Sequence, residues 1–178
     1  LHRHSLVIRE EMNAAAGAAH GWSSIADIHR ARGDYEQALD CDQRAFDLIE
    51  GIVPGAGEGR TLHRLGLDYL GLDRPEEALG AFERAHERLA SRGLRSSAVR
   101  LLGDIGHAKV RLGRWEEGMA DLDRGVREAH SMRDVTAEVA GLELVARLQL
   151  ERGDNEKALD TARRALDQLE PMLGGLAD

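Results

Sequence analysis

Small residues recur along this chain at a fixed interval. Ala38, Ala78, Gly118 and Ala158 stand 40 residues apart, and Ser5, Ala45, Ala85, Gly125 and Ala165 keep the same step. Two helices approach closely only where neither carries bulk, so small side chains at constant spacing point to a repeated helix pair. Whole stretches align around them: "RGDYEQAL" ends at Leu39, "GLDRPEEAL" at Leu79, "RLGRWEEGM" at Met119 and "RGDNEKAL" at Leu159. Upstream lies a second apolar pattern, clearest in "LHRLGLDYLGL", where Leu62, Leu65, Gly66 and Tyr69 share one helical face. Aromatic residues are only 3% of the chain, so the core must come from Leu, Ala, Val and Ile, which suits helices better than strands.

The punctuation agrees. Gly33, Gly113 and Gly153 fall where the first helix of a pair must stop, and each can supply the left-handed residue that closes its last carbonyls. Asp73 takes that place in the second repeat. Asp34 and Asp154 follow as expected N-caps, and Pro75 as a first helical residue. The stretch "IVPGAGEGRT" at residues 52–61 resembles a phosphate-binding loop, but Glu58 stands where the phosphate-binding lysine should be and no strand pattern precedes it. Its glycines and Pro54 are expected to end one helix and allow the turn into the next.

The formal charge of −8 and pI near 5.5 argue against direct binding to nucleic acid. The single cysteine, Cys41, makes no internal disulfide, and no apolar run is long enough to span a membrane. The cytoplasm is the expected compartment. The chain starts at Leu1 without an initiator methionine, so a fragment of a longer protein is expected.

Leu62, Leu65, Gly66, Tyr69, Ala78, Phe82 and Ala85 carry a resemblance to the tetratricopeptide repeat family. Trp22, Ile25, Ala26, Ala38 and Ala45 fit the same pattern in the first repeat, with His29 in place of the aromatic residue and Asp42 in place of the phenylalanine. The third repeat contributes Leu102, Ile105, Gly106, Leu122 and Gly125, and the fourth Leu142, Val145, Ala146, Ala158 and Ala165. The resemblance implies an all-α fold, a right-handed superhelical solenoid of antiparallel helix pairs. One array over residues 1–178 is expected: the second helix of a truncated repeat over 1–12, then repeats over 15–51, 56–91, 96–131 and 136–172. The 40-residue interval is similar to that of C-terminal sensor regions in actinomycete transcriptional regulators.

Family members are mostly interaction scaffolds, and the first helix of each pair lines a concave groove. Helical spacing then places His20, Asp27 and Arg30 in that groove from repeat one, and Arg60, His63 and Leu67 from repeat two. Arg100, His107 and Arg111 follow from repeat three, and Glu143 and Arg147 from repeat four. With Glu151 included, five arginines face three carboxylates, an excess of positive charge on an acidic chain. The implied partner is a protein segment, an acidic peptide or helix, bound by a scaffold or sensor module; the alternative is a segment that regulates its own chain in a transcriptional regulator or signalling ATPase. The Lys–Asn combination with which some arrays clamp a C-terminal carboxylate is absent, its places being held by Ser23, Asp27, His63 and Leu67. An array also needs polar end caps, and apolar ends here are expected to allow a homodimer.

Catalysis finds no foothold. The eight histidines form no paired-ligand motif, so no metal or cofactor is expected. Cys41 lies beside Asp40 and Asp42, which raise a thiol pKa, and an enzyme is the remote alternative.

Overall fold

The computed structural model describes residues 2–51 and 56–174, with side chains over 11–51 and 56–170. Among the described residues there are eight helices and no strand: α1 (His2–Arg32), α2 (Tyr35–Ile49), α3 (Ala56–Gly71), α4 (Pro75–Ala90), α5 (Arg95–Arg111), α6 (Trp115–Ser131), α7 (Val135–Arg152) and α8 (Asn155–Gly174). By its contacts the chain divides into two compact units, Leu1–Leu94 and Arg95–Asp178. In the first, α1 packs on α2, α3 on α4, and α2 on α3; in the second, α5 packs on α6, α7 on α8, and α6 on α7.

One kind of corner joins these helices. At Gly33, Asp73, Gly93, Gly113, Arg133 and Gly153 the backbone turns left-handed, with φ between 57 and 88°. The amide of each such residue bonds the carbonyl three back, and the next amide bonds the carbonyl five back, as in Gly33 N to Arg30 O (3.0 Å) and Asp34 N to His29 O (2.9 Å). This pair of bonds satisfies carbonyls that a helix end otherwise orphans. The corners at Gly93 and Arg133 fall in the gaps expected between repeats, although an arginine by itself carries little turn signal.

The small residues that set the repeat are buried. Ala38, Ala78, Gly118 and Ala158, like Ala45, Ala85, Gly125 and Ala165, all face packed neighbours. Backbone meets backbone where α5 crosses α6. A Cβ on Gly106 would lie 2.6 Å from the Gly118 carbonyl oxygen, and one on Gly118 would lie 2.5 Å from that of Gly106, so neither position admits alanine without separating the helices.

Three expectations need correction. The break after residue 12 is missing, since α1 runs on to Arg32 through "NAAAGAAH", an alanine-rich stretch with no residue that stops a helix. Gly57 and Gly59 are not turn residues but lie inside α3, and Gly59 gives Leu89 of α4 room, for a Cβ there would come within 2.8 Å of that side chain. Asp34 stands at the N-cap position of α2 without a side-chain cap hydrogen bond, whereas Asp134 accepts from the Ala137 amide at 3.1 Å and caps α7. Pro54, the side chain of Ser5 and the C-terminal stretch from 171 lie outside the described residues or side chains.

Candidate functional site

The groove residues fall on two faces, one in each unit. In the first unit they lie on α1 and α3, where His20, Asp27 and Arg60 are exposed and Arg30, His63 and Leu67 are half-buried. Arg30 does not offer a cation to a partner. Its guanidinium donates to Asp27 Oδ1 at 2.7 Å, Asp42 Oδ2 at 2.5 Å and Asp68 Oδ1 at 2.8 Å, joining α1, α2 and α3. Arg64 completes the set by bonding Asp27 from α3. His63 stands against the Phe82 ring, with centroids 5.8 Å apart.

Asp42 and Asp68 are both fully buried, and each keeps one oxygen without a donor, Oδ1 of Asp42 and Oδ2 of Asp68. Burial, reinforced by Asp68, pushes Asp42 up to about 6 against the pull of Arg30. Burial likewise raises Asp68, opposed by its hydrogen bond from Arg30 and by one with Asp42. Below about pH 6 a proton on Asp42 would supply a donor between the two carboxyls. Burial weakens the Arg30 charge, and its two buried carboxylates outweigh that loss, so its proton is held more firmly than usual. Asp27 is held below the usual carboxylate range chiefly by its bond from Arg64.

This cluster was only partly visible in the sequence. Asp42 marked itself by replacing phenylalanine, and Arg30 lies twelve residues before it, the spacing that brings the two helices of a pair together. Arg64 and Asp68 were missed because helical spacing assigns them to no groove position.

In the second unit the face lies on α5 and α7. Arg100, Arg111, Glu143 and Arg147 are exposed, and His107 is half-buried among them. His107 gives up its proton more readily than an ordinary histidine, first because it is buried and then because Arg147 and Arg111 repel its charged form; Asp104 and Glu151 oppose them. Among the described residues neither Arg100 nor Arg147 takes part in an ion pair. Cys41 is buried, and burial with Asp40 pushes its thiol up. No cluster of His, Cys, Asp and Glu among the described residues could hold a metal ion, and none of their helices is long and apolar enough to cross a membrane.

Residues 17–91 match the tetratricopeptide repeat. Several solved structures share the fold of this chain. Aspartyl phosphate phosphatase F from Bacillus subtilis superposes with a TM-score of 0.76 at 13% identity, covering 88% of this chain and 41% of its own. This chain therefore spans less than half the length of that phosphatase. A putative kinesin light chain from Podosopora anserina, with nearly identical TPR-like repeats, gives 0.69 at 16% identity over 87% of this chain and 76% of its own. MamA gives 0.60 at 12% identity over 94% and 87%. Identities this low establish the fold alone. A comparison with curated protein sequences finds no match. The tetratricopeptide fold is in general one of protein–protein interaction.

Proposed function

We propose that this chain is a non-enzymatic, protein-binding module of a larger cytoplasmic regulatory protein, and that it takes an acidic peptide or helix against the α5–α7 face. The observation that supports this reading is the gathering of Arg100, Arg111 and Arg147 on the α5–α7 face, where Arg111 and Arg147 both disfavour the charged form of the half-buried His107. Burial is the first reason that His107 sheds its proton, and the two guanidiniums add to it against Asp104 and Glu151; a carboxylate-rich segment would meet these arginines favourably. On the first unit Arg30 and Arg64 are already answered by aspartates, so that face has less to offer an anion. The repeat interval of 40 residues supports placement in the sensor region of a transcriptional regulator, where the bound segment belongs either to a partner or to the same protein.

The test uses a fluorescein-labelled glutamate-rich peptide and fluorescence anisotropy. The chain as a whole carries −8, so such a peptide binds only if a local face overrides the general repulsion. Arg100→Glu with Arg147→Glu should weaken binding by about tenfold or more, and added salt should weaken it further. Undiminished affinity in the double variant would overturn the proposal.

A further inference from the structure

The repeat itself says which surfaces ought to be covered. Forty-residue steps carry Ile25 of α1 to Leu65, Ile105 and Val145, and Ile28 to Asp68, Ala108 and Leu148, all of them buried. Ile25 and Ile28 are 43% and 54% exposed. At the other end, Leu166 of α8 is 62% exposed where its counterparts Phe46 and Val126 are buried and His86 half-buried, and Leu159 is 54% exposed where Leu79 is buried and Leu39 and Met119 half-buried. Each surface is one half of an interface whose other half the chain builds elsewhere.

That interface is present between α6 and α7. Leu122 of α6 clusters with Val145 and Leu148 of α7, with Met119 packed against them. Val126 of α6 fills the space over Gly141 of α7, where a Cβ would come within 2.8 Å. The repeat places the corresponding groups on the open surfaces: α8 carries Leu159, Ala162 and Leu166 where α6 has Met119, Leu122 and Val126, and α1 carries Gly21, Ile25 and Ile28 where α7 has Gly141, Val145 and Leu148. A further glycine fits the pattern, because Gly57 of α3 lies over Ile49 of α2, and their counterparts on the open surfaces are Gly17 of α1 and Leu169 of α8. Nothing lies within 4 Å of where a Cβ on Gly17 or Gly21 would sit. The volumes also compensate: the smaller Ala162 in place of Leu122 meets the larger Ile25 in place of Val145.

We propose that α8 of one copy of this chain takes α1 of a second copy in the register by which α6 takes α7, with Leu166 seated over Gly21 and Ile25 and Ile28 against Ala162 and Leu159. Because the two surfaces differ, the contact is head-to-tail, and each copy keeps one open end. It uses none of the arginines of the acidic-partner face, so the two proposals stand or fall separately.

Sedimentation velocity over a concentration series tests it with two variants, Leu166→Arg, which spoils α8, and Ile28→Arg, which spoils α1. Both positions are exposed, and unchanged circular dichroism checks that each variant folds. The unaltered chain should exceed its 19.5 kDa monomer mass increasingly with concentration. Each variant alone should stay monomeric, and an equimolar mixture should form a one-to-one pair and stop there, since only one sound α1 surface and one sound α8 surface remain in each pair. Gly21→Leu, which fills the hollow of α1 without adding charge, should also block self-association, fail to pair with Ile28→Arg, which has lost the same surface, and still pair with Leu166→Arg. A chain monomeric at all concentrations, a variant that still associates by itself, or a Leu166→Arg and Ile28→Arg mixture that stays monomeric would each overturn the proposal.

Discussion

The same five repeat positions are filled in opposite ways in the two units. In the first unit they hold Asp27, Arg30, Asp42, Arg64 and Asp68; two repeats later they hold His107, Val110, Leu122, Leu144 and Leu148. Four of the latter five belong to one apolar cluster, with Leu122 and Leu148 at its centre. One backbone arrangement is therefore closed by a shared guanidinium in one place and by side-chain packing in the other. The difference teaches what each solution demands. Apolar contact is tolerant of shape and indifferent to pH, whereas the charged solution depends on a single donor, Arg30, that serves two buried carboxyls.

The largest effect should come from removing that donor. Arg30→Ala leaves Asp42 and Asp68 buried without their cation and should destabilise the first unit by about 3–5 kcal/mol in chemical denaturation. A cost below about 1 kcal/mol would mean that the network is dispensable. Next comes the exchange of one solution for the other. Arg30→Val, Asp42→Leu and Asp68→Leu together install the residues of the second unit, and since well-packed apolar groups commonly match or exceed a buried ionic set, stability at neutral pH should hold or rise by up to about 4 kcal/mol. A large loss would show that the first unit cannot repack around them.

The smallest effect is a pH dependence. Asp42 keeps its proton to about pH 6 when folded, against 3.8 as an ordinary carboxyl, so between those values the folded chain binds a proton that the unfolded chain has released. That contribution is complete below about pH 4 and is lost as pH rises through 6, with a slope of at most about 1.4 kcal/mol per pH unit. Thermal melts from pH 4 to 7 should show the first unit weakening, and the triple exchange should flatten the trend. A first unit that strengthens over this range would contradict the shared proton.

The architecture was legible because packing repeats itself in the sequence. Ala38, Ala78, Gly118 and Ala158 each had to be small for the same reason, and a 40-residue period announces it four times. The charged network happens once, so no periodicity reports it. Asp42 was noticed as a departure from pattern, but Asp68 and Arg64 are ordinary helix-surface residue types, and only three-dimensional proximity turns them into a buried cluster. Arg30 was expected to face the groove, yet its charge is directed inward to Asp42 and Asp68, which no spacing rule foretells. For α1 the error had another source: the period promised a boundary near residue 12, while local alanine content carries the helix across it.

The left-handed corners at Gly33, Asp73, Gly93, Gly113, Arg133 and Gly153 occur alike inside pairs and between them. A corner that completes its own hydrogen bonds asks nothing of whatever rod comes next. Gene duplication or deletion that cuts at Gly93 and Arg133 can thus lengthen or shorten such a protein by two rods without stranding a carbonyl, and the number of units becomes free to drift with the size of what it has to hold.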